Sequence, residues 1–294
     1  MELRNVKTFI KVAEMENFSK AALELGYAQS TVTTQVQSLE QELHAVLFER
    51  IGKRAQLSAA GQEFLEYAYT LQRYEAMAIE HFAKDQEPRG PLSVGVMETM
   101  CASNYANIFT TYMKQYPKVE LKSVVATTLE CMEKLEKGQL DLILTVDKEL
   151  HNPNWTIAYG VPTEICFFCS VQHPLAGKKE VDLKEVVKET FIQIEEGCNY
   201  REAFEQHVSN QNMELSKVIE LGYTRMIIDG VADNLGVSLL PMFTLENAIR
   251  ANRVATFTVK NFNISMQMQV VHKKNRWMSP ALKSFIENTK EFIV

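Results

Sequence analysis

The chain lacks any apolar run near the roughly 18 residues that a membrane-crossing helix needs. Its N-terminus also lacks the order of an export signal, because Glu2 and Arg4 sit inside an amphipathic pattern. A cytosolic protein with no membrane partner is expected. Cysteine is scarce and odd in number, five in 294 residues, which fits a reducing compartment better than a disulfide framework. Cys166 and Cys169 form a C-x-x-C inside a strand-like apolar run, where side chains three apart point to opposite faces, so buried thiols are expected. No second Cys pair or His pair stands at ligand spacing, so no metal site is expected. The segment from Gly230 to Gly236 has neither the spacing nor the placement of a nucleotide loop, and no cofactor is expected. No motif joins a nucleophile to a base, which argues against an enzyme.

Positive charge is lacking too. The formal net charge is −6. Within residues 1–58, Arg4, Lys7, Lys11, Lys20, Arg50, Lys53 and Arg54 are cancelled by Glu2, Glu14, Glu16, Glu24, Glu40, Glu42 and Glu49. Attraction to a polyanion must therefore come from where the charges sit, because the total supplies none.

What is present begins with length and apolar content. At 294 residues and 46% hydrophobic, the chain can bury cores in two or three domains. Leu3, Val6, Ile10 and Ala13, with Phe9 beside them, form the inner stripe of a first helix. The stretch from Asn17 to Leu43 then reads as two short helices around a tight turn. Ser19 is placed to cap the first, Ala22 and Leu25 to pack inward, and Gly26 to end it. The second starts near Gln29 and buries Val32, Val36, Leu39 and Leu43. Its early outward positions, Gln29, Ser30, Thr31, Thr33, Thr34 and Gln37, carry only amides and hydroxyls. Such a helix beyond a three-residue turn has the form of a DNA recognition helix, and equally of a surface hairpin with a polar face. Two short strands follow, Val46 to Arg50 and Ala55 to Ser58, with Gly52 at the bend. Arg50, Lys53 and Arg54 gather there, as in a wing that meets phosphates.

In these segments the chain resembles the LysR-type transcriptional regulators. LRNVKTFIKVAE, NFSKAALEL, QSTVTTQVQSLEQEL, LFER and LSAAGQEFLEYA match in order and spacing over the first third of the protein. The resemblance implies sequence-specific binding to double-stranded DNA by a homodimer, which in this family can pair into a homotetramer. It departs from the family where Ser30 replaces a frequent proline, Thr34 a frequent arginine and His44 a frequent glycine. Because no Lys or Arg lies between Ala28 and Leu43, while Gln suits adenine and Thr methyls suit thymine, an AT-rich inverted repeat is the expected operator.

Ser58 is placed to cap a long helix, Ala59 to Ala83. Phe64, Ala68, Leu71, Glu75, Ala78 and Phe82 recur along it at four and three, a seam of the kind that meets a partner helix. In the resembling family this is the linker helix that pairs two subunits. A polar stretch with two prolines, KDQEPRGP, marks the domain boundary. Beyond it strands alternate with helices: LSVGVM, VELKSVV and LDLILTV in one run, then EICFFCSV, TFIQI, KVIEL and GVSLLP in a second, with SMQMQVV and a last helix closing the chain. Two α/β halves imply a cleft between them. They resemble the type 2 periplasmic-binding fold of the family's effector domain.

The expected architecture is thus an N-terminal all-α winged helix-turn-helix plus a long linker helix, then a C-terminal α/β two-lobed effector domain. The expected ranges are 1–58 for DNA binding, 59–90 for the linker, and 91–294 for the effector domain. Lobe I would span about 91–161 and 265–294, and lobe II about 162–264, with crossovers at Val161–Thr163 and Phe262–Ile264.

Ligands of open α/β sheets sit beyond the strand ends, at helix starts. The groups there are Thr99, Met100, Cys101 and Ser103 after the first strand and Thr127 and Thr128 after the second. From the other half come Glu195, Cys198 and Arg201, the last able to reach across. Hydroxyls and an arginine suit a small carboxylate, the acids Glu98, Glu195 and Glu196 suit an amine, and each residue also has a plain reading as a cap. A small polar effector is the expectation, and the resemblance itself points to Thr99 and Thr128 as cleft residues. Cys198 stands where peroxide-sensing relatives keep a reactive cysteine, but no resolving cysteine follows it. Two other classes use a paired-lobe fold, solute-binding proteins and small α/β transferases. The first is disfavoured by the N-terminal pattern and the second by the missing catalytic motif.

Overall fold

The computed structural model describes residues 1–51, 54–82, 87–102 and 106–293, with backbone alone at Arg50, Ile51, Glu80, His81, Ala106 and Ile293. The chain divides into two units, Met1–Gln86 with Lys137–Gln139, and Glu87–Glu136 with Leu140–Val294.

In the first unit, α1 (Leu3–Met15), α2 (Phe18–Leu25) and α3 (Gln29–Leu43) precede the hairpin β1 (Phe48–Ile51) and β2 (Arg54–Leu57) and the long α4 (Ala59–His81). Val6, Phe9, Ile10 and Val12 bury one side of α1, whereas Leu3, expected in that stripe, is 40% exposed. The cap of α2 is Asn17, whose carboxamide oxygen accepts from the Ser19 and Lys20 amides at 2.9 and 3.0 Å. Ser19, expected in that role, lies inside the helix. Asn17 is extended, as an N-cap must be, and reaches the second and third amides. Gly26 ends α2 at a φ of 68°. Val32, Val36 and Leu39 are buried, but Leu43 is 36% exposed because α3 ends there.

Ser58 caps α4 as the sequence suggests, accepting from the Gly61 amide at 2.9 Å. Gly61 itself permits the helix to touch the chain before the wing, since a Cβ there would stand 2.1 Å from the Leu47 carbonyl oxygen. Glu40 fastens the start of β1 by accepting from the Leu47 amide at 2.7 Å and the Phe48 amide at 3.2 Å. Both strands sit slightly later or earlier than expected, with Arg54 already paired to Ile51. Gly52 and Lys53 at the tip, and Ala83 at the expected end of α4, lie outside the described residues.

The second unit begins with β3 (Gly90–Val96), α5 (Glu98–Cys101), α6 (Ala106–Gln115), β4 (Val119–Val125), α7 (Thr128–Glu136), β5 (Leu142–Asp147) and β6 (Trp155–Thr163). It continues with β7 (Ile165–Ser170), β8 (Glu180–Val181), α8 (Leu183–Val186), β9 (Thr190–Gln193), α9 (Asn199–Asn210), β10 (Lys217–Glu220), α10 (Thr224–Ala232) and β11 (Val237–Pro241). Then come α11 (Met242–Arg250), β12 (Val254–Val259), β13 (Met266–Lys273) and α12 (Pro280–Ile293).

These strands build two sheets, β4-β3-β5-β13-β6 and β10-β9-β11-β7-β12-β8, one per lobe. The β3, β4 and β5 strands are parallel, as their βαβαβ order requires. The second sheet is mixed, because β7 runs antiparallel to both β11 and β12.

Three strands are not legible in the sequence: the two-residue β8, β12, and β6, whose last residues read as a crossover. Val161, Pro162 and Thr163 pair with Met268, Gln267 and Met266 of β13. Pro162 is tolerated there because β6 is an edge strand. The chain therefore changes sheet at Glu164, and returns between Val259 and Met266. Each lobe has an aromatic centre. Phe191 and Phe204 stack at 4.6 Å in one, and Tyr112 meets Phe285 edge-on at 4.9 Å in the other.

Candidate DNA interface and ligand cleft

The buried stripe of α3 fixes which of its side chains face outward. Gln29, Ser30, Thr31, Thr34 and Gln37 are exposed, and Thr33 is half-buried. Thr33 is also committed, since its hydroxyl donates to the Gln29 carbonyl at 3.0 Å. That leaves its methyl as the contact it can offer. Ser19 donates to the Gln29 side-chain oxygen at 3.0 Å and so steadies the amide at the head of the helix. Gln35 faces inward, accepting from Thr8 at 2.6 Å. Tyr27, in the turn before α3, is 41% exposed and was not singled out from sequence.

Charge placement also becomes readable. Arg4 pairs with Glu2, Lys7 with Glu75 and Lys11 with Glu14. Among the described side chains of residues 1–58, Lys20 and Arg54 are the basic groups with no carboxylate partner. Arg54 is exposed. The side chain of Arg50 and the whole of Lys53, both expected at the interface, lie outside the described residues.

In the second unit the lobes meet where strands end and helices begin. Thr99, 1% exposed, has its hydroxyl 3.4 Å from that of Tyr200 on the other lobe. Glu98 accepts from both the amide and the hydroxyl of Thr224, at 3.0 and 2.5 Å. Asp147 at the end of β5 lies near Asn199 at the start of α9, and burial raises its carboxyl pKa despite the Lys148 amide beside it. Beside this contact lies a cavity of about 500 Å³ bounded by Lys148, Glu149, Ala203, His207, Gln267 and the return segment 261–265. Sequence reasoning missed Tyr200 and Thr224, since each matters only through a partner on the opposite lobe.

Several expected cleft residues are placed otherwise. Met100 is 1% exposed and belongs to the core. Thr127 is a helix cap: its amide and hydroxyl both bond to Glu130, whose carboxyl they hold below its usual range. Thr128 is buried, with its hydroxyl 2.9 Å from that of Thr145 and directed at the Met97 sulfur.

Arg201 does not reach across. Its guanidinium donates to Glu205 at 2.8 Å, Glu220 at 2.8 Å and the Ile194 carbonyl at 2.6 Å, all on its own lobe. Glu195 and Cys101 are exposed. Ser103 lies outside the described residues.

Cys198 occupies the N-cap position of α9 and is 6% exposed. Burial pushes its thiol up to about 11. A thiol so protonated is a poor nucleophile at neutral pH, contrary to a sensing role. Cys166 and Cys169 are buried in β7, pushed up to about 12 and about 11 by the same desolvation. Among the described residues no cluster of three His, Cys, Asp or Glu could hold a metal, and no helix is long and apolar enough to cross a membrane.

A helix-turn-helix with a wing, followed by two α/β lobes meeting through polar groups at strand ends, defines a DNA-binding regulator that carries its own ligand-binding domain. Residues 3–62 match the family described as bacterial regulatory helix-turn-helix protein, lysR family, and residues 85–293 match the LysR substrate binding domain. The chain belongs to the LysR family of transcription regulators. It is 32% identical over 293 residues to the HTH-type transcriptional regulator YwqM of Bacillus subtilis, covering 99% of each chain. It is 25% identical to GltR of the same organism over 291 residues, covering 99% of this chain and 97% of GltR.

Among solved structures it is similar to full-length CbnR in complex with its target DNA, with a TM-score of 0.69, 22% identity and 99% of both chains covered. A full-length OxyR variant from Pseudomonas aeruginosa gives a TM-score of 0.72 at 19% identity, covering 100% of this chain and 94% of OxyR. At that identity the likeness shows the fold alone.

Proposed function

We propose that this regulator binds an AT-rich interrupted inverted repeat as a homodimer, and that a small polar metabolite between the lobes alters that binding. The reading assigns residues 1–58 to DNA recognition, 59–90 to pairing and linkage and 91–294 to the effector domain, and places the protein's work in the cytoplasm. The observation that carries it is the outward face of α3, where exposed amides and hydroxyls stand without a single cation. Gln29, Ser30, Thr31, Thr33, Thr34 and Gln37 contact bases, while Arg50, Lys53 and Arg54 contact phosphates. The CbnR relative in the same fold was solved on DNA, which supports duplex DNA as the partner.

For the effector, the polar contacts between lobes at the strand ends support a ligand whose hydrogen bonds exchange with those of Thr99 and Tyr200. Arg201 is taken up within its own lobe, so an effector carboxylate cannot rely on it. Selection of operators from random duplexes tests the first half, and GC-rich half-sites would overturn it. Titration of candidate metabolites against operator affinity tests the second. Thr99→Ala should weaken the response to an effector while leaving basal DNA binding intact, and independent affinities for operator and metabolite would end the coupling claim.

A further inference from the structure

Helix α10 begins without a cap from its own lobe. Tyr223 stands at the N-cap position and makes no side-chain cap hydrogen bond. The first N–H groups of a helix need an acceptor, and buried ones cannot take it from water. Thr224, the first residue of α10, is 0% exposed. Its acceptor comes from the other lobe: one oxygen of Glu98, in the first turn of α5, takes both the Thr224 amide at 3.0 Å and the Thr224 hydroxyl at 2.5 Å. A carboxylate in that position meets the positive end of α10, and its hydrogen bonds are charge-assisted. The neighbouring tie between lobes, Thr99 to Tyr200, is a 3.4 Å contact between neutral hydroxyls and is weaker.

We infer that Glu98 is a latch between the lobes: its carboxylate completes the start of α10, so the lobes cannot part without uncapping that helix. Separation breaks two charge-assisted bonds and gives the first amide of α10 up to water, so the resting angle between the lobes is set by the chain's own groups. The geometry fits a two-position element, capped when the lobes touch and uncapped when they do not. Its role in regulation rests on the effector reading above, but the latch itself does not.

The test is hydrogen exchange on the full-length protein with neither metabolite nor DNA added. Glu98→Ala should speed exchange about tenfold or more in the first turn of α10. It should also speed exchange at the start of α9, around Tyr200, which Glu98 does not cap. Strand amides in β5 and β11 should keep their rates and report an intact fold. Glu98→Gln keeps an acceptor without the charge, and Thr224→Val removes the hydroxyl bond alone, so both should give smaller increases in the same two places. If Glu98→Ala disturbs the strands, this milder pair decides. Faster exchange confined to α10 would reduce Glu98 to a cap and overturn the latch, as would unchanged exchange at both helices. Because no effector enters the experiment, the effector reading and the latch can fail separately.

Discussion

Lys7 of α1 holds Glu75 of α4, with the ammonium 2.8 Å from the carboxylate. Glu75 is the one charged position in the apolar seam of α4, and it is answered within its own chain. Phe64, earlier in the same seam, meets Phe9 edge-on at 5.1 Å. The first half of that seam therefore packs on α1, and the apolar side chains α4 leaves outward include Tyr67 and Tyr74, each more than 60% exposed.

Removing one member of the pair should cost more than removing both. Lys7→Met leaves Glu75 beside apolar neighbours and should destabilise by about 1 kcal/mol, whereas Lys7→Met with Glu75→Leu should be close to neutral. Urea unfolding of the single and double variants measures this. Tyr67→Asp with Tyr74→Asp should leave the fold intact and dissociate the proposed dimer, read by analytical ultracentrifugation. A dimer of unchanged affinity would place pairing on another surface.

The proposed DNA contacts should divide by their response to salt. Arg54→Ala should weaken every duplex alike and reduce the slope of log affinity against log salt by about 1. Gln37→Ala or Thr34→Ala should keep the slope and lose about 1–3 kcal/mol of preference for the selected operator. Fluorescence anisotropy at several salt concentrations separates the two.

The buried thiols set an alkaline limit. Burial raises Cys131, Cys169 and Cys198 to about 11 and Cys166 to about 12, against the ordinary 9.0. A raised folded pKa contributes stability that is full below the unfolded value and is lost as pH rises through the folded one. The melting temperature should therefore fall between about pH 9 and 12, and Cys166→Ala should flatten that fall. At pH 7.5 a thiol reagent should reach the exposed Cys101 first and the buried four only on unfolding.

His44 closes α3 in the left-handed region, at a φ of 51°. A side chain with a Cβ is disfavoured there and glycine is not. His44→Gly should raise stability by about 1 kcal/mol, seen as a higher melting temperature with unchanged operator preference. A lower melting temperature would mean that the imidazole makes a contact that outweighs the backbone cost.

The candidate interface was more legible than the cleft. Val32, Val36 and Leu39 fix the rotation of α3 by local periodicity, so the outward positions follow without knowledge of the fold. The cap of α2 is ambiguous between Asn17 and Ser19, polar residues two apart, and only backbone conformation selects Asn17. Arg201 reads as a cleft cation in the sequence, but folding brings Glu205 of its own helix and Glu220 of β10 around it. Tyr200 and Thr224 were unreadable for the converse reason, as each has its meaning in a partner about a hundred or more residues away.

By itself the sequence determined the order of the helices and of most strands, and the helix that presents amides and hydroxyls, because repeating apolar positions and turn residues act over a few neighbours. Tertiary structure alone decided which polar groups are spent and which remain. That depends on distances between lobes and on burial, and neither is written in the spacing of residues along a chain.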